Sequence, residues 1–181
     1  MGELVEKARA IATEAHQGQV RKDDGSPYIA HPIAVAEIVK TAGFSDVVIA
    51  AALVHDVLED TDISEGELRT KLGDEVVNIV TAVSEDKSLT WEDRKAGYIA
   101  SVVASNEAVW AVTCADKIHN TQCFLRSYAK EGPALWEKFN RGPKKALWFH
   151  RTLSSGLKAV WQHPLLDEYA TLIKGMEALL D

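Results

Sequence analysis

Apolar residues recur along the chain at intervals of three and four, which places their side chains on one face of an α-helix. Leu4, Ala8 and Ile11, for example, follow this spacing near the start. No stretch has the sustained alternation of apolar and polar residues, bounded by turn residues, that is typical of hairpin strands. The pattern therefore predicts an all-α domain.

Turn and capping residues divide the first half of the chain into helices and one long loop. The predicted segments are a helix ending near Gln17-Gly18, a loop over residues 19–30, a helix from His31-Pro32 to Gly43, and a helix from Asp46 to about Glu59. The last of these contains Ala50, Ala51 and Ala52, which favour close packing between helices. We therefore expect it to be a central helix.

The second half also consists of predicted helices. The predicted segments are a helix to Leu72 that opens with the capping box Ser64-Glu65-Gly66-Glu67, a helix from Asp74 to Val83, one from Thr90-Trp91 to about Val103, and one from Glu107 to about Ala129. Gly132-Pro133 ends the last of these. The remaining residues, interrupted by Pro143 and Pro164, predict two or three further helices rich in aromatic residues.

The composition is that of an ordinary globular protein with an acidic surplus. The chain has 181 residues, with 20 Lys and Arg against 27 Asp and Glu, and a formal charge of −7. This length predicts one domain over residues 1–181. The charge argues against binding of nucleic acid or anionic membrane through bulk electrostatics, while a local basic site is compatible with it. The oligomeric state is left open.

Several features predict a cytoplasmic protein. Glu3 and Glu6 interrupt the apolar positions at the start, so the apolar core of a signal peptide is missing there. The longest apolar run, Val47 to Val54, is far shorter than the roughly 20 residues that span a bilayer. Cys114 and Cys123 point to opposite sides of one predicted helix and cannot pair, and two unpaired thiols suit a reducing compartment.

Four ionisable residues lie in or at the ends of apolar helices rather than in solvated loops: His31, His55, Asp56 and Asp116. Two imidazoles and two carboxylates form a ligand set that suits Mn²⁺, Fe²⁺ or Zn²⁺. The lack of thiolates argues against a structural zinc site. The alternative is a pair of core histidines with ordinary hydrogen bonds.

Further polar residues accompany these four. Helical spacing places Glu59 over His55 and Asp60 over Asp56, so ionisable side chains converge at this helix end. A general acid or base close to a metal centre is the chemistry that such carboxylates can supply, and the sequence leaves open which of the two does which.

The residues after Asp116 add one more candidate. Asn120 follows Asp116 by one helical turn, so an amide that can bind substrate shares a face with the carboxylate. Lys117 and His119 are expected to point elsewhere, either to the surface or to the surroundings of the ligands.

The loop over residues 19–30 carries local positive charge. Arg21 and Lys22 can make charge-assisted hydrogen bonds to phosphate, or the guanidinium can stack on a base. Tyr28 is a third candidate for substrate contact. The alternatives are a solvated basic pair and a tyrosine that packs against its own loop.

Three motifs in this order resemble the hydrolase domain of the RelA/SpoT alarmone enzymes, within the HD-domain phosphohydrolases. They are Arg21-Lys22 with Pro27-Tyr28-Ile29-Ala30-His31-Pro32, then His55-Asp56-Val57-Leu58-Glu59-Asp60-Thr61, then Ala115-Asp116-Lys117-Ile118-His119-Asn120. The His-Asp pair alone is a weak signal, whereas the three motifs together are specific. After Asn120 the chain has Thr121-Gln122-Cys123, where relatives commonly have Arg-Thr.

The resemblance implies a helical bundle of about ten helices that holds one Mn²⁺, with His31, His55, Asp56 and Asp116 as ligands. It implies Glu59 and Asp60 as the catalytic acid pair, and Arg21, Lys22, Tyr28 and Asn120 as residues that contact a small nucleotide. The implied reaction removes the 3′-pyrophosphate of guanosine tetra- or pentaphosphate (ppGpp, pppGpp) to leave GDP or GTP. Because a synthetase domain does not fit into 181 residues, the chain resembles the small alarmone hydrolases of this family.

Two other functions stay open from the sequence. The same chemistry could act on adenosine alarmones, (p)ppApp, or on the 2′-phosphate of NADPH, because each presents a phosphorylated ribose oxygen near a purine. A catalytically silent nucleotide-binding module is the third hypothesis, although all four ligands and both acids are present.

Overall fold

The computed structural model describes residues 2–21, 25–138 and 141–180, and within them the chain is almost entirely helical. The α-helices are α1 (Glu3–Ala15), α2 (Ala30–Thr41), α3 (Asp46–Val54), α4 (Val57–Asp60), α5 (Glu65–Leu72), α6 (Asp74–Val83), α7 (Trp91–Val103), α8 (Glu107–Glu131), α9 (Gly142–Val160) and α10 (Pro164–Glu177). A 3₁₀ segment (Gly132–Lys138) follows α8. The only β-type pairing among the described residues is an isolated bridge between Val20 and Pro27. The predicted all-α fold is confirmed.

Helix α3 is the centre of the bundle, as expected. Every residue from Val48 to Val54 is buried. A helix that is apolar on all sides must be surrounded by other elements, and α3 packs against α1, α2, α6 and α8. The residues at the C-terminal end of α3 therefore lie in the interior of the protein.

The prediction of one continuous helix from Asp46 to Glu59 is wrong, because the helix is interrupted at His55 and Asp56. Asp56 has φ −94° and ψ −6°, outside the range of a regular helix. The amide groups of Glu59 and Asp60 then donate to the Asp56 carbonyl and start the short helix α4. The sequence gives no Gly or Pro at this point, so helical periodicity continues through the break.

The predicted helix boundaries in the second half are confirmed. Ser64 and Glu67 form both halves of the capping box at the start of α5, and Gly73, with φ +86°, separates α5 from α6. Thr90 caps α7 by accepting a hydrogen bond from the amide of Asp93. These local signals need no tertiary contact, which explains why they can be recognised in the sequence.

The long helix α8 connects the two halves of the bundle. It packs against α2, α3, α6, α7 and α10, while α9 packs against α7 and α10. Cys114 and Cys123 both lie on α8, and no disulfide joins them. Among the described residues no helix combines the length and hydrophobicity that crossing a bilayer requires.

Candidate metal centre and active site

Separate parts of the chain place the four predicted ligands at one point inside the bundle. His31 lies in the first turn of α2, His55 and Asp56 form the break between α3 and α4, and Asp116 is in the middle of α8. Both imidazoles and Asp116 are buried. Because α2 and α8 both pack against α3, the fold brings together residues that are far apart in the sequence.

The ring nitrogens and carboxylate oxygens converge. Nε2 of His31 lies 3.2 Å from Oδ1 of Asp116 and 3.6 Å from Oδ2 of Asp56. Nε2 of His55 lies 3.2 Å from the same Asp56 oxygen and 3.8 Å from the same Asp116 oxygen. The ligand atoms of His31, His55 and Asp116 are all within 4.8 Å of one another. Four potential ligands thus surround one small space.

The opposite ring nitrogens of the two imidazoles have partners outside this space. Nδ1 of His55 donates to the Ala52 carbonyl at 2.8 Å, and Nδ1 of His31 lies 2.7 Å from Nδ1 of His119. A hydrogen bond on the outer nitrogen fixes the orientation of a metal-binding imidazole. Both rings are therefore held with Nε2 pointing inward.

The two carboxylates are held in the same way. The Tyr28 hydroxyl donates to Asp56 at 2.6 Å, while Asp116 accepts hydrogen bonds from the Asn120 amide and the Lys117 ammonium. Burial alone would raise the pKa of Asp116, but the Lys117 ammonium and the two imidazoles hold that pKa well below its usual range. Asp116 is therefore ionised, as a metal ligand must be.

The residues fit a divalent cation. Among the described residues Nε2 of His55 has no hydrogen-bond partner although it is fully buried, and it points at carboxylate oxygens. Burial lowers the pKa of His55, but Asp56 and Asp116 outweigh this effect and raise it to about 9. The buried Asp116 and the partly buried Asp56 thus favour positive charge at this point, and a cation bound by nitrogen and oxygen ligands satisfies the same demand.

Of the two positions expected for Lys117 and His119, the structure shows the surroundings of the ligands rather than the surface. Lys117 forms a 2.6 Å ion pair with Asp116, and His119 contacts His31. Helical periodicity makes positions 117 and 119 point in other directions from α8 than position 116, so it does not predict that these side chains contact the ligands. Lys117 is long enough to fold back onto its neighbour, and α2 packs against α8 closely enough for His31 to meet His119.

Glu59 and Asp60 lie beside the centre and are anchored by the loop between α6 and α7. Glu59 lines the small cavity that His55, Asp56 and Asp116 also line, and it accepts a 2.9 Å hydrogen bond from the amide of Glu85. The Lys87 ammonium donates at 2.7 Å both to the Asp60 carboxylate and to the Glu59 carbonyl. Burial, with smaller effects of Asp56 and Glu85, raises the pKa of Glu59.

A larger cavity of about 720 Å³ opens next to the centre. Arg21, Tyr28 and Asn120 line it, and Nη2 of Arg21 donates to Oδ1 of Asn120 at 3.2 Å. The structure therefore brings three of the four predicted substrate residues together. The fourth, Lys22, lies outside the described residues.

Sequence reasoning missed several residues that shape this cavity. Its walls include two lysines and several aromatic rings, namely Lys95, Lys117, Trp91, Phe124, Trp136 and Phe149. Lys95 pairs with Glu85 at 2.5 Å, and its ammonium lies 4.4 Å from the centre of the Phe149 ring. Trp91 and Lys95 are four residues apart, and this spacing could have predicted that they lie on the same face of α7.

Comparison with known proteins identifies relatives of this chain. The HD-domain family matches residues 8–143. The guanosine-3′,5′-bis(diphosphate) 3′-pyrophosphohydrolase MESH1 of Mus musculus is 37% identical over 135 residues, which are 73% of this chain and 73% of that protein. The corresponding MESH1 protein of Danio rerio is 42% identical over 129 residues, 70% of this chain and 69% of that protein.

Solved structures show the same architecture. A metazoan ortholog of SpoT, described as hydrolysing ppGpp, has a TM-score of 0.81 and 26% identity, and the alignment covers 96% of both chains. The crystal structure of lmo0812 from Listeria monocytogenes has a TM-score of 0.75 and 35% identity over 80% of this chain and 96% of that one.

Proposed function

This chain belongs to the HD-domain phosphohydrolases, and from that premise we propose that it is a Mn²⁺-dependent hydrolase of guanosine tetra- and pentaphosphate. The proposed reaction removes the 3′-pyrophosphate from ppGpp or pppGpp and leaves GDP or GTP. The MESH1 proteins of Mus musculus and Danio rerio, which are 37% and 42% identical to this chain, are named for this reaction.

One observation carries the proposal. Nε2 of each imidazole lies 3.2 to 3.8 Å from oxygens of Asp56 and Asp116. Glu59 lines the adjoining small cavity, and Asp60 shares the Tyr28 hydroxyl with Asp56. In this proposal His31 and His55 bind Mn²⁺ through Nε2, and Asp56 and Asp116 bind it through their carboxylates. When bound, the cation supplies Lewis acidity toward a phosphoryl oxygen.

The protein's own groups prepare this site. Tyr28 and Lys117 compensate the negative charge of Asp56 and Asp116, and Ala52 and His119 orient the imidazoles. Fixed partners of this kind reduce the reorganisation needed when substrate and cation arrive.

Glu59 and Asp60 are the proposed proton-transfer groups. One of them accepts the proton of the attacking water, and the other protonates the leaving 3′-oxygen. Glu59 has a raised pKa, caused mainly by burial, so it holds a proton to higher pH than an exposed carboxyl. Asp60 is held by Lys87 and by a 3.3 Å hydrogen bond from the Tyr28 hydroxyl.

The neighbouring cavity supports an anionic nucleotide as substrate. Its aromatic rings provide surface on which a purine can stack, and Arg21, Lys95 and Lys117 provide positive charge on a chain whose formal charge is −7. A volume of about 720 Å³ is in the range of small-molecule sites.

The proposal is tested by incubating the purified protein with Mn²⁺ and, in parallel, ppGpp, ppApp and NADPH, while pyrophosphate and orthophosphate are measured separately. We expect pyrophosphate and GDP from ppGpp. Pyrophosphate from ppApp alone would move the substrate to the adenosine series, and orthophosphate from NADPH alone would make the protein a 2′-phosphatase.

His55→Ala and Asp56→Asn are the matched variants for this assay. Each removes one proposed ligand, so Mn²⁺ binding and turnover should be lost together. Turnover that survives either substitution contradicts the metal-centred mechanism. Tight nucleotide binding without turnover in Mn²⁺ would favour a silent binding module.

A further inference from the structure

The imidazoles of His31 and His55 differ in the hydrogen-bond partner of Nδ1, the ring nitrogen that faces away from the proposed metal site. His55 donates from Nδ1 to the backbone carbonyl of Ala52, and a carbonyl can only accept. This contact fixes the proton of neutral His55 on Nδ1 and leaves the lone pair on Nε2. His31 instead faces Nδ1 of His119, which can be a donor or an acceptor. Nothing in that contact by itself decides the tautomer of His31.

Metal binding imposes a condition on this pair. If Nε2 of His31 is to bind a cation, its remaining proton must be on Nδ1. Nδ1 of His119 must then accept at 2.7 Å, and the single proton of neutral His119 must be on Nε2. His119 can therefore support His31 in only one of its two neutral tautomers.

A partner for that proton lies one helical turn further along α8. Nε2 of His119 is 3.5 Å from Sγ of Cys123, whereas Nδ1 is 3.9 Å away. Arg126 donates from Nη2 to the same sulfur at 3.0 Å. Because a guanidinium has only donors, the sulfur acts as an acceptor in this contact, and it can accept from Nε2 of His119 in the same way.

We propose that His119 is a positioning residue for the metal centre and that Cys123 acts through it, by holding His119 in the tautomer that accepts a hydrogen bond from His31. This inference rests on the metal centre of the proposed function. It assigns a role to Cys123, which the sequence alone did not single out as part of the site. The expected effect is on cation affinity rather than on folding.

The first test measures Mn²⁺ affinity by calorimetry in His119 variants. His119→Leu removes the acceptor, and we expect a loss of about 10- to 100-fold in affinity. His119→Asn keeps an acceptor, because its amide oxygen occupies about the position of Nδ1, and it should stay within about threefold of the parent. Equal affinity of the parent and His119→Leu would overturn the role of His119.

The second test isolates Cys123. Cys123→Val should weaken Mn²⁺ binding in the parent but not in the His119→Asn background, where no tautomer has to be held. Equal losses in both backgrounds would mean that Cys123 acts by packing, and would overturn its proposed role. Cys114→Val is the matched control, since Cys114 is buried on the opposite side of the same helix from Cys123, and its loss should leave affinity unchanged.

Two further measurements distinguish a failure of the proposed metal centre from a failure of the role proposed for His119. A parent protein that binds no Mn²⁺ would overturn the metal centre itself, and with it this inference. In the metal-free protein, long-range ¹H–¹⁵N spectra should show His119 protonated on Nε2. A proton on Nδ1 would overturn the assignment even if His119→Leu did not fold.

Discussion

The Tyr28 hydroxyl donates a 2.6 Å hydrogen bond to Oδ2 of Asp56, the same oxygen that faces Nε2 of His31 and of His55. Tyr28 lines both the small cavity of the ligands and the larger neighbouring cavity. Burial, reinforced by Asp56 and Asp60, raises the pKa of Tyr28 far above its ordinary value, so the hydroxyl remains a donor. One side chain therefore joins the predicted substrate loop to a proposed metal ligand.

Tyr28→Phe should weaken Mn²⁺ binding about tenfold and leave the fold intact. The ring contacts with His16 and His31 are kept, whereas Asp56 loses the donor that orients it. Calorimetry with Mn²⁺ measures the affinity, and thermal melting without metal checks the fold. Unchanged affinity would show that Asp56 is oriented without the hydroxyl.

Asp116→Asn should destabilise the metal-free protein by about 3 kcal/mol, because it leaves the Lys117 ammonium without its counter-ion in a largely buried position. The pKa of Lys117, which burial lowers, is held well above its ordinary value chiefly by Asp116. Urea unfolding in the presence of a chelator measures the loss.

The control for this prediction is the double variant Asp116→Asn with Lys117→Met. Removing the orphaned charge should recover most of the lost free energy of unfolding, so the two substitutions should be strongly non-additive. Additive losses would mean that the ion pair makes no net contribution and that Asp116 stabilises the fold in another way.

The fold could be predicted, and the four proposed ligands could be picked out, because both depend on local patterns. Helical periodicity, the Ser64 capping box and the His55-Asp56 pair are all visible within short stretches of sequence. Their meeting in space follows from the packing of apolar helices around α3, although the sequence alone does not give the distances.

The missed features depend on tertiary contacts or on a single backbone angle. The break at Asp56 has no sequence signal, since no Gly or Pro accompanies it. Glu85 and Lys87 lie in a segment that resembles any polar loop, and only the fold shows that they anchor Glu59 and Asp60. The contact between His119 and His31 likewise needs α2 and α8 side by side.

Lys87→Met should lower kcat for ppGpp about tenfold and change KM by less than threefold. The ammonium holds the Asp60 carboxylate and the Glu59 carbonyl, so its loss disturbs the proton-transfer groups rather than the nucleotide contacts. Steady-state kinetics gives both constants. Lys40→Met is a matched control on α2, because Lys40 is similarly exposed and pairs with Glu37 on the same helix. If the two variants have the same kcat, Lys87 has no positioning role.

His150 should make the metal-free protein sensitive to acid. Its Nδ1 is 2.7 Å from the Tyr169 hydroxyl, and desolvation together with the Lys117 and Lys95 ammonium groups lowers its pKa to about 3. In the unfolded chain a histidine has a pKa of about 6.5. Below that value the unfolded state binds a proton that the folded state does not, so stability is lost as the pH falls from about 6.5 toward 3.

Replacing His150 by Asn removes this titration and keeps a polar partner for Tyr169. Within the window one proton corresponds to about 1.4 kcal/mol per pH unit, so the slope of unfolding free energy against pH between 6 and 5 should fall by about that amount. Urea unfolding at several pH values, with a chelator present, measures the slope. The other titrating groups are present in both proteins, so their contributions cancel when the two slopes are compared. A pH-independent cost of the substitution lowers the free energy of unfolding equally at every pH and leaves the slope unchanged. Identical slopes would mean that His150 is protonated in the folded protein, against the effect of the two neighbouring lysines.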